Sequence, residues 1–222
     1  MNKKSVSIYI PAFNAEKTIR NSLTSIKNQS YQFDEIIVIN DNSDDFTSDI
    51  VKEFKDVNII NNTENKGLGY NRNLGVKNSS HKIVASIDAD VVLEKNWLEV
   101  IIQNFEQSEN IICGGKMIEE LIENKFNAWR ARYYSQNWCN KSFESPPFLY
   151  GCNTIQHKSV WDTVKGYDES LHTNGEDIDY SNRIKSYQHL KMKYCSDALA
   201  KHLQDDNLNT LSNRVWRYHS FG

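Results

Sequence analysis

The chain has 222 residues, of which 39% are hydrophobic and 25% are charged, and its formal net charge is −3. This composition is typical of a soluble globular protein, and the length allows one large domain or two small ones, whereas a nucleic-acid binder would usually be basic. No apolar run approaches the roughly 20 residues of a membrane-spanning helix, the N-terminus is too strand-like for a signal peptide, and the four cysteines form no Cys-x-x-Cys pair. We therefore expect a cytoplasmic protein with reduced thiols, without a disulfide framework or a zinc site.

Predicted strands and helices alternate through the first half of the chain. Continuous apolar runs, as in a parallel sheet covered on both faces, predict strands. These cover residues 5–10, 35–40, 57–61 and 83–90. The predicted helices between them cover residues 16–29, 47–54 and 67–78. At roughly 25 to 30 residues per strand–helix unit, this order predicts an open parallel sheet, which binds ligands at the carboxyl ends of its strands.

The stretch over residues 83–90 is the centre of the predicted site, because its apolar run stops at Asp88 and Asp90. If the backbone stays extended, both carboxylates lie on the same side, where they can hold a divalent cation that bridges a substrate's phosphates. The alternative is that they cap the following turn or helix, a common role of aspartate. Pro11, which is expected to end the first strand, and Asp41 follow neighbouring strands, so we expect separated motifs to meet in one crevice.

The second half of the chain has a less regular pattern. It predicts a helix over residues 97–107, a strand over 111–117, an aromatic-rich helix within 119–138 and a helix over about 175–186. The aromatic side chains of the third segment are expected to be buried, with a sugar-stacking surface as the alternative. Residues 207–222 favour a packed C-terminal helix over a surface helix that touches an acceptor, a partner subunit or a membrane. Without a repeat, a low-complexity tract or a linker, we expect a single domain over residues 1–222.

Five motifs in sequence order resemble those of the family 2 glycosyltransferases, the inverting nucleotide-sugar enzymes of the GT-A fold. They are residues 10–16 (IPAFNAE), 38–45 (VINDNSDD), 65–67 with 72–75 (NKG and RNLG), 88–90 (DAD) and 175–177 (GED). Each motif is weak alone, but the five in this order and spacing are specific. The resemblance implies a Rossmann-like GT-A fold with a mostly parallel central sheet flanked by helices. It further implies a nucleotide-binding half over residues 1–110 and an acceptor-binding half over 111–222.

The resemblance implies that the nucleotide is bound by the first half. The implied residues are Pro11, Ala12, Phe13, Glu16, Asp41, Lys66, Gly67, Arg72, Asp88 and Ala89. Phe13 would pack on the base, Glu16 would reach a ribose hydroxyl, and Asp41 would accept the imide N–H of uracil. Many family members have tyrosine at the position of Phe13, so a contact through that hydroxyl is absent here. Arg72 equally fits a surface position on its helix.

The resemblance also implies a metal and a general base. Asp90 would hold Mn²⁺ or Mg²⁺ on the diphosphate, and His202 is similar to a histidine that some members use as a further ligand, although a lone histidine is more often structural. Inverting transfer needs a carboxylate that takes the proton of the acceptor hydroxyl, and Asp177 fits the family's base. Asp179 is the competing base and Glu176 a third choice, unless all three acids only complement a helix N-terminus.

The predicted activity is inverting transfer of a sugar from a nucleotide-diphosphate sugar, with UDP favoured, to a hydroxyl of a glycan or glycoconjugate acceptor. Residues 150–154 are expected on the acceptor side, and the protein is expected in the cytoplasm or peripherally at the inner face of the membrane. One alternative is a sugar-1-phosphate nucleotidyltransferase, which would need a glycine-rich loop where residues 11–14 stand. The other is a non-catalytic nucleotide- or glycan-binding module. The end at residues 221–222 leaves open a longer chain, and the oligomeric state is not predicted.

Overall fold

The structure, a computed structural model, describes residues 4–105 and 109–220. Its strands are β1 (Val6–Ala12), β2 (Glu35–Asn40), β3 (Asn58–Asn61), β4 (Ile83–Ile87), β5 (Val91–Leu93), β6 (Ile111–Glu119), β7 (Phe143–Glu144), β8 (Asn153–His157) and β9 (Lys191–His202). Its α-helices are α1 (Ile19–Lys27), α2 (Thr47–Lys52), α3 (Leu68–Asn78), α4 (Trp97–Ile102), α5 (Lys125–Tyr133), α6 (Lys158–Val164), α7 (Glu176–Lys185) and α8 (Leu208–Ser220). The end of the helix predicted over residues 97–107, and the chain ends at 1–3 and 221–222, lie outside the described residues.

In the part of the chain that the structure describes, nine strands form one sheet in the order β3-β2-β1-β4-β8-β6-β9-β5, with β7 paired to β9. The strands β3, β2, β1 and β4 run parallel, as the sequence predicts. Beyond β4 the sheet is mixed, since β8 runs antiparallel to both β4 and β6, while β6 and β9 are parallel. The predicted α/β class, a sheet flanked by helices, is confirmed. None of the described helices is long and apolar enough to cross a membrane.

Alternate residues of β1 pack against different layers of helices. Ile8 belongs to the same buried cluster as Leu23 of α1, whereas Tyr9 belongs to a cluster with Val76 of α3. The close approach of α3 depends on Gly75, because a Cβ at that position would lie 2.3 Å from the Tyr9 ring. Since both faces are covered, the central strands are continuous apolar runs. For this reason the apolar runs in the sequence predicted the positions of the central strands.

The prediction that Pro11 ends the first strand is wrong, because β1 continues to Ala12. The carbonyl of Ala12 accepts a hydrogen bond from the backbone N–H of Asp41 at 2.8 Å, on the side of β2. Backbone groups of successive residues alternate between the two neighbouring strands, so the nitrogen of Pro11 faces the side of β4. Pairing with β4 has already ended there, at Tyr9. The missing donor of Pro11 consequently costs the sheet no hydrogen bond.

The prediction that the aromatic-rich segment buries its aromatic side chains is also wrong. Its helix, α5, is shorter than predicted and buries Asn127 and Arg130 instead. Trp129 and Tyr133 are 39% and 59% exposed. The physical reason is that Arg130 finds buried carboxylate partners, so that the polar face of the helix turns inward. The C-terminal helix α8 buries only Leu211 among its large apolar side chains.

Candidate active site

The larger of two adjoining cavities, about 1170 Å³, opens at the carboxyl ends of β1 and β4. The predicted nucleotide-binding residues that line it are Pro11, Phe13, Glu16, Asp88 and Ala89. Residues 203–207, which follow β9, form part of its wall. The Phe13 side chain is 53% exposed, and a Glu16 carboxylate oxygen accepts a hydrogen bond from the backbone N–H of Phe46 at 3.2 Å. We call this cavity the donor cleft.

The second cavity, about 440 Å³, shares Asp88 and Asp90 with the donor cleft. It is also lined by Arg72 of α3, Asp177 of α7 and His202 of β9. Of the residues expected on the acceptor side, residues 150 and 152 line it as well. The structure thus brings the predicted metal ligands and the predicted base to one cavity, although they come from distant parts of the sequence. We call it the inner cavity.

Asp88 and Asp90 lie in a turn and not in an extended strand. β4 ends one residue before Asp88, and the backbone N–H of Val91 donates to the Asp88 carbonyl at 3.1 Å. The predicted extended backbone is therefore wrong, because the chain must reverse here for β5 to pair antiparallel with β9. The two carboxylates nevertheless border the same cavities, and each has its own partner. Asp88 pairs with Arg72, and Asp90 with His202.

His202 lies between two carboxylates at the end of β9. Its Nε2 is 3.4 Å from Asp90 Oδ2, and its Nδ1 is 3.1 Å from Glu119 Oε2. Burial opposes protonation of the imidazole, but the two carboxylates outweigh it and raise the pKa of His202 to about 9. Burial would raise the pKa of Asp90, but the neighbouring imidazole holds it below its ordinary value. Glu119 is fixed in turn by Arg130, whose Nε donates to Asp206 at 2.8 Å.

The carboxylate of Asp90 and the imidazole of His202 are a pair of ligands that fits a divalent cation. Two ligands on one ion at about 2.1 Å lie roughly 3 Å apart in octahedral geometry, close to the observed separation of 3.4 Å. Among the described residues, no group of three or more His, Cys, Asp or Glu side chains could hold a metal. Mg²⁺ and Mn²⁺ suit such a sparse site, because they keep waters and accept phosphate oxygens. A carboxylate on the second ring nitrogen, as Glu119 provides, commonly orients a metal-binding histidine.

Arg72 joins the donor side to the predicted base, and it is only 1% exposed. Its Nη2 donates to Asp88 at 3.0 Å and its Nε to Glu176 at 3.1 Å. Its Nη1 donates to the Ser86 hydroxyl and to the Gly151 carbonyl. Burial opposes its charge, but the two carboxylates raise the pKa of Arg72 well above its ordinary value. The alternative of a surface position is therefore wrong, and the contact with a nucleotide stays a prediction.

The three acids in the first turn of α7 have different surroundings. Asp177 lines the inner cavity, and its Oδ2 accepts a hydrogen bond from the Gly151 backbone N–H at 3.1 Å. Burial raises the pKa of Asp177, and its hydrogen bonds from the backbone only partly offset that rise. Glu176 is 2% exposed, and burial raises the pKa of Glu176 to about 7. Asp179 pairs with Arg183 at 2.6 Å and is not among the described residues that line either cavity.

Asp41 is buried beneath the loop that leads into α3. Its Oδ1 accepts hydrogen bonds from the Asn62 side chain at 2.7 Å and from the Lys66 backbone N–H at 2.8 Å, and its Oδ2 accepts one from Gly67 at 3.0 Å. Within the described ranges, Ala12, Asp41, Lys66 and Gly67 are not among the residues that line the donor cleft or the inner cavity. Their contacts with a nucleotide stay predictions.

Sequence reasoning missed Glu119 and Arg130, which support His202 from behind. Glu119 is the first of two consecutive acids, and Arg130 lies in an aromatic and basic helix, so neither belongs to a recognisable motif. The two side chains are buried opposite charges that meet only in the folded chain. No local signal in the sequence could have paired them.

A family model described as "Glycosyl transferase family 2" matches residues 7–164. An uncharacterized glycosyltransferase from Haemophilus influenzae is 36% identical over 132 residues, which cover 58% of this chain and 41% of that protein. Poly-beta-1,6-N-acetyl-D-glucosamine synthase from Staphylococcus epidermidis is 26% identical over 215 residues, which cover 93% of this chain and 52% of that protein. The chain spans about half the length of these two curated relatives.

Solved structures share the fold at low sequence identity. TarS from S. aureus in complex with UDP-GlcNAc superposes with a TM-score of 0.73 at 18% identity, covering 94% of this chain and 60% of that one. The mannosyltransferase PcManGT from Pyrobaculum calidifontis, in complex with GDP-Man and Mn²⁺, gives a TM-score of 0.75 at 15% identity, covering 98% and 61%. At such identities the likeness shows the fold, which is the expected GT-A fold.

Proposed function

The chain belongs to glycosyl transferase family 2, and we propose that it moves a sugar from a nucleotide-diphosphate sugar to an acceptor hydroxyl with inversion at the anomeric carbon. The observation that carries this proposal is the inner cavity, which is lined by the Asp88 and Asp90 carboxylates as well as by Asp177. A single displacement needs these groups together, because the leaving diphosphate and the base act on opposite faces of one sugar.

UDP is the favoured nucleotide of the donor. The support is the likeness to TarS, which was solved with UDP and with UDP-GlcNAc. The likeness to a mannosyltransferase solved with GDP-Man keeps a guanine donor as the competing choice. In the donor cleft, the exposed ring of Phe13 offers an apolar face to a base, and the Glu16 carboxylate offers acceptors to ribose hydroxyls.

Asp90 and His202 would hold the Mn²⁺ or Mg²⁺ that this family uses on the diphosphate. When bound, such an ion neutralises charge that develops on the leaving group. Two contacts would position the ligands of the ion. Asp90 presents its carboxylate to the cavities, and the contact with Glu119 keeps the imidazole of His202 turned toward Asp90. The likeness to structures that contain Mn²⁺ supports a divalent ion.

Asp177 is the proposed general base. The Gly151 backbone N–H holds one carboxylate oxygen in place, and burial raises the pKa of Asp177 above its ordinary value. A raised pKa strengthens a carboxylate as a proton acceptor. Glu176 cannot serve in the same way, because its carboxylate faces the Arg72 guanidinium.

The acceptor is proposed to be a glycan or glycoconjugate that enters the inner cavity. Its lining includes the aromatic rings of Tyr133, Phe148 and Tyr150, which can stack on sugar rings. The match to a relative named as a polysaccharide synthase supports a role in polysaccharide or glycoconjugate synthesis.

Calorimetric titration of UDP into the protein tests the proposal, first with Mn²⁺ and then with a chelator. We expect binding that requires the metal and that Asp90→Ala abolishes. Asp177→Asn is the matched control, because it should bind UDP normally and yet lose turnover of the donor sugar. Binding of GDP in place of UDP would assign a guanine nucleotide sugar as the donor and leave the proposed reaction class unchanged. No binding of any nucleotide diphosphate would contradict the proposal, and binding without turnover would leave a non-catalytic module.

A further inference from the structure

Helices α5 and α8 pack side by side and leave an apolar groove of about 650 Å³ on the outside of the molecule. Phe126, Trp129, Leu211, Val215 and Trp216 line it. Trp216 is 73% exposed and Trp129 is 39% exposed. Single exposed apolar residues are common on protein surfaces, whereas here two exposed tryptophan side chains line one groove. We call the groove with its flanking basic residues the α5/α8 face.

The aromatic residues of this face are held in place by packing. The Trp129 ring lies 5.1 Å from that of Tyr133 and 5.4 Å from that of Tyr134. The Tyr134 ring stacks on Tyr218 at 5.6 Å, which links α5 to α8. Asn124 caps α5, because its side chain accepts hydrogen bonds from two backbone N–H groups of the first turn. The face is therefore preformed.

The helix α5 is inverted relative to an ordinary surface helix. It turns Arg130 and Asn127 inward, where Arg130 pairs with Glu119 and Asp206, and it turns Trp129 outward into the groove. Exposing large aromatic surface to water forgoes the free energy that its burial would give. This arrangement indicates that the outward side meets an apolar environment.

The charges of the two helices all have one sign. The sequences of α5 and α8 contain Lys125, Arg130, Arg132, Arg214 and Arg217 but no Asp or Glu, in a chain whose formal net charge is −3. Arg130 and Arg214 pair with buried acids and Arg217 lines the inner cavity, which leaves two exposed cations: Lys125, which lines the groove, and Arg132 near the end of α5. Tryptophan and leucine beside lysine and arginine are the pattern of helices that lie in the headgroup region of a membrane.

We propose that the α5/α8 face docks on an anionic lipid bilayer, with Trp129 and Trp216 at the boundary between headgroups and acyl chains. Lys125 and Arg132 then contact lipid phosphates. Tyr133 and Tyr134, at the C-terminal end of α5, and Arg217 and Tyr218 of α8 line the inner cavity. Docking thus brings the inner cavity to the membrane surface. The proposal concerns where the protein binds, and it holds whether or not the transfer reaction is assigned correctly.

Flotation of the purified protein with vesicles tests the proposal. We expect the protein to float with phosphatidylcholine vesicles that contain phosphatidylglycerol, and to float less with phosphatidylcholine alone. Trp216→Ser is expected to weaken partition about tenfold, since it removes the burial of one large side chain. Lys125→Gln and Arg132→Gln are each expected to weaken partition about fivefold. Added salt should weaken partition of the wild-type protein in the same way, because it screens the attraction to anionic lipids.

Phe46→Ser and Lys55→Gln are the matched controls, because both residues are exposed and flank α2, and neither lines the groove. They should leave flotation unchanged. Absence of flotation with either vesicle would overturn the proposal, as would flotation that Trp216→Ser does not alter. Concentration-dependent dimers without vesicles, lost in Trp216→Ser, would instead assign the face to a second copy of the chain.

Discussion

At the scale of single residues, one buried guanidinium holds together groups that come from three parts of the chain. Arg72 contacts Asp88 at the end of β4, Glu176 at the start of α7 and Gly151 before β8. Gly151 in turn fixes Asp177. The donor cleft and the proposed base are therefore linked through a single side chain, and a change at Arg72 reaches both.

Replacing Arg72 by methionine is expected to lower the free energy of unfolding by about 3–5 kcal/mol, because it leaves the buried Glu176 carboxylate and the partly exposed Asp88 carboxylate without their partner. Removing one of those charges as well, in an Arg72→Met/Glu176→Gln double variant, should recover part of the loss, with a coupling energy of about 0.5–3 kcal/mol. Urea denaturation of the four proteins of this cycle measures the coupling. Arg20→Met, which breaks an exposed pair with Glu53, is the control and should change little. Strictly additive effects of the two buried substitutions would contradict the linkage.

At the scale of elements, α7 begins with a residue whose backbone is left-handed. Gly175 has φ +84° and directly precedes the turn that carries Glu176 and Asp177. A side chain at such φ is strained. The helix α6 offers a contrast, because the residue that directly follows it, Lys165, carries a side chain and has φ +66°. The left-handed backbone region is thus occupied by glycine, the preferred residue type, before α7 and by a strained lysine after α6.

Gly175→Ala is expected to lower the free energy of unfolding by about 1–2 kcal/mol, because alanine is unfavourable in the left-handed region. Turnover should fall further than stability alone explains, since the first turn of α7 orients Asp177. Lys165→Gly is the matched control and should raise the free energy of unfolding by up to about 1 kcal/mol, because glycine is the usual residue at a left-handed helix end. Thermal unfolding and a donor-turnover assay measure the two effects. Equal stability of Gly175→Ala and the wild type would show that the turn relaxes freely.

At the scale of the whole molecule, the sequence predicted the parts whose pattern is local. The strands β1, β2 and β4 are buried on both faces, so their apolar runs and the parallel sheet followed directly. The inversion of α5 could not be predicted, because Arg130 is turned inward by acids at positions 119 and 206. Likewise, the turn at Asp88 depends on the pairing of β5 with β9, more than 100 residues later. The motifs marked several of the residues that border the cavities, such as Asp88, Asp90 and Asp177, whereas contacts between distant parts of the chain determine how these side chains are held.

The pH dependence of stability is also a property of the whole molecule, because it sums the contributions of groups whose pKa values are raised and of groups whose pKa values are lowered. Burial raises the pKa of Glu176 to about 7 from an ordinary 4.5. Between these values the native state holds a proton that the unfolded chain has released, so stability falls as pH rises. Carboxylates raise the pKa of His202 to about 9 against the effect of burial, so its contribution is complete below its ordinary 6.5 and is lost as pH rises through 9. The lowered pKa values of Asp90 and Glu119 act at the acid end, where their contribution is lost as pH falls.

We therefore expect the metal-free protein to be most stable at about pH 5, with a decline of about 1–3 kcal/mol up to about pH 7 and a further decline toward about pH 9. Glu176→Gln, which carries no titratable carboxyl, should remove the first decline and leave the second, because only the second belongs to His202. Urea unfolding in the presence of a chelator, repeated across this pH range, measures both slopes. If Glu176→Gln kept the wild-type slope below neutrality, the proton held by the native state would have to reside on another buried carboxyl, with Asp88 and Asp177 as the groups whose pKa values burial also raises.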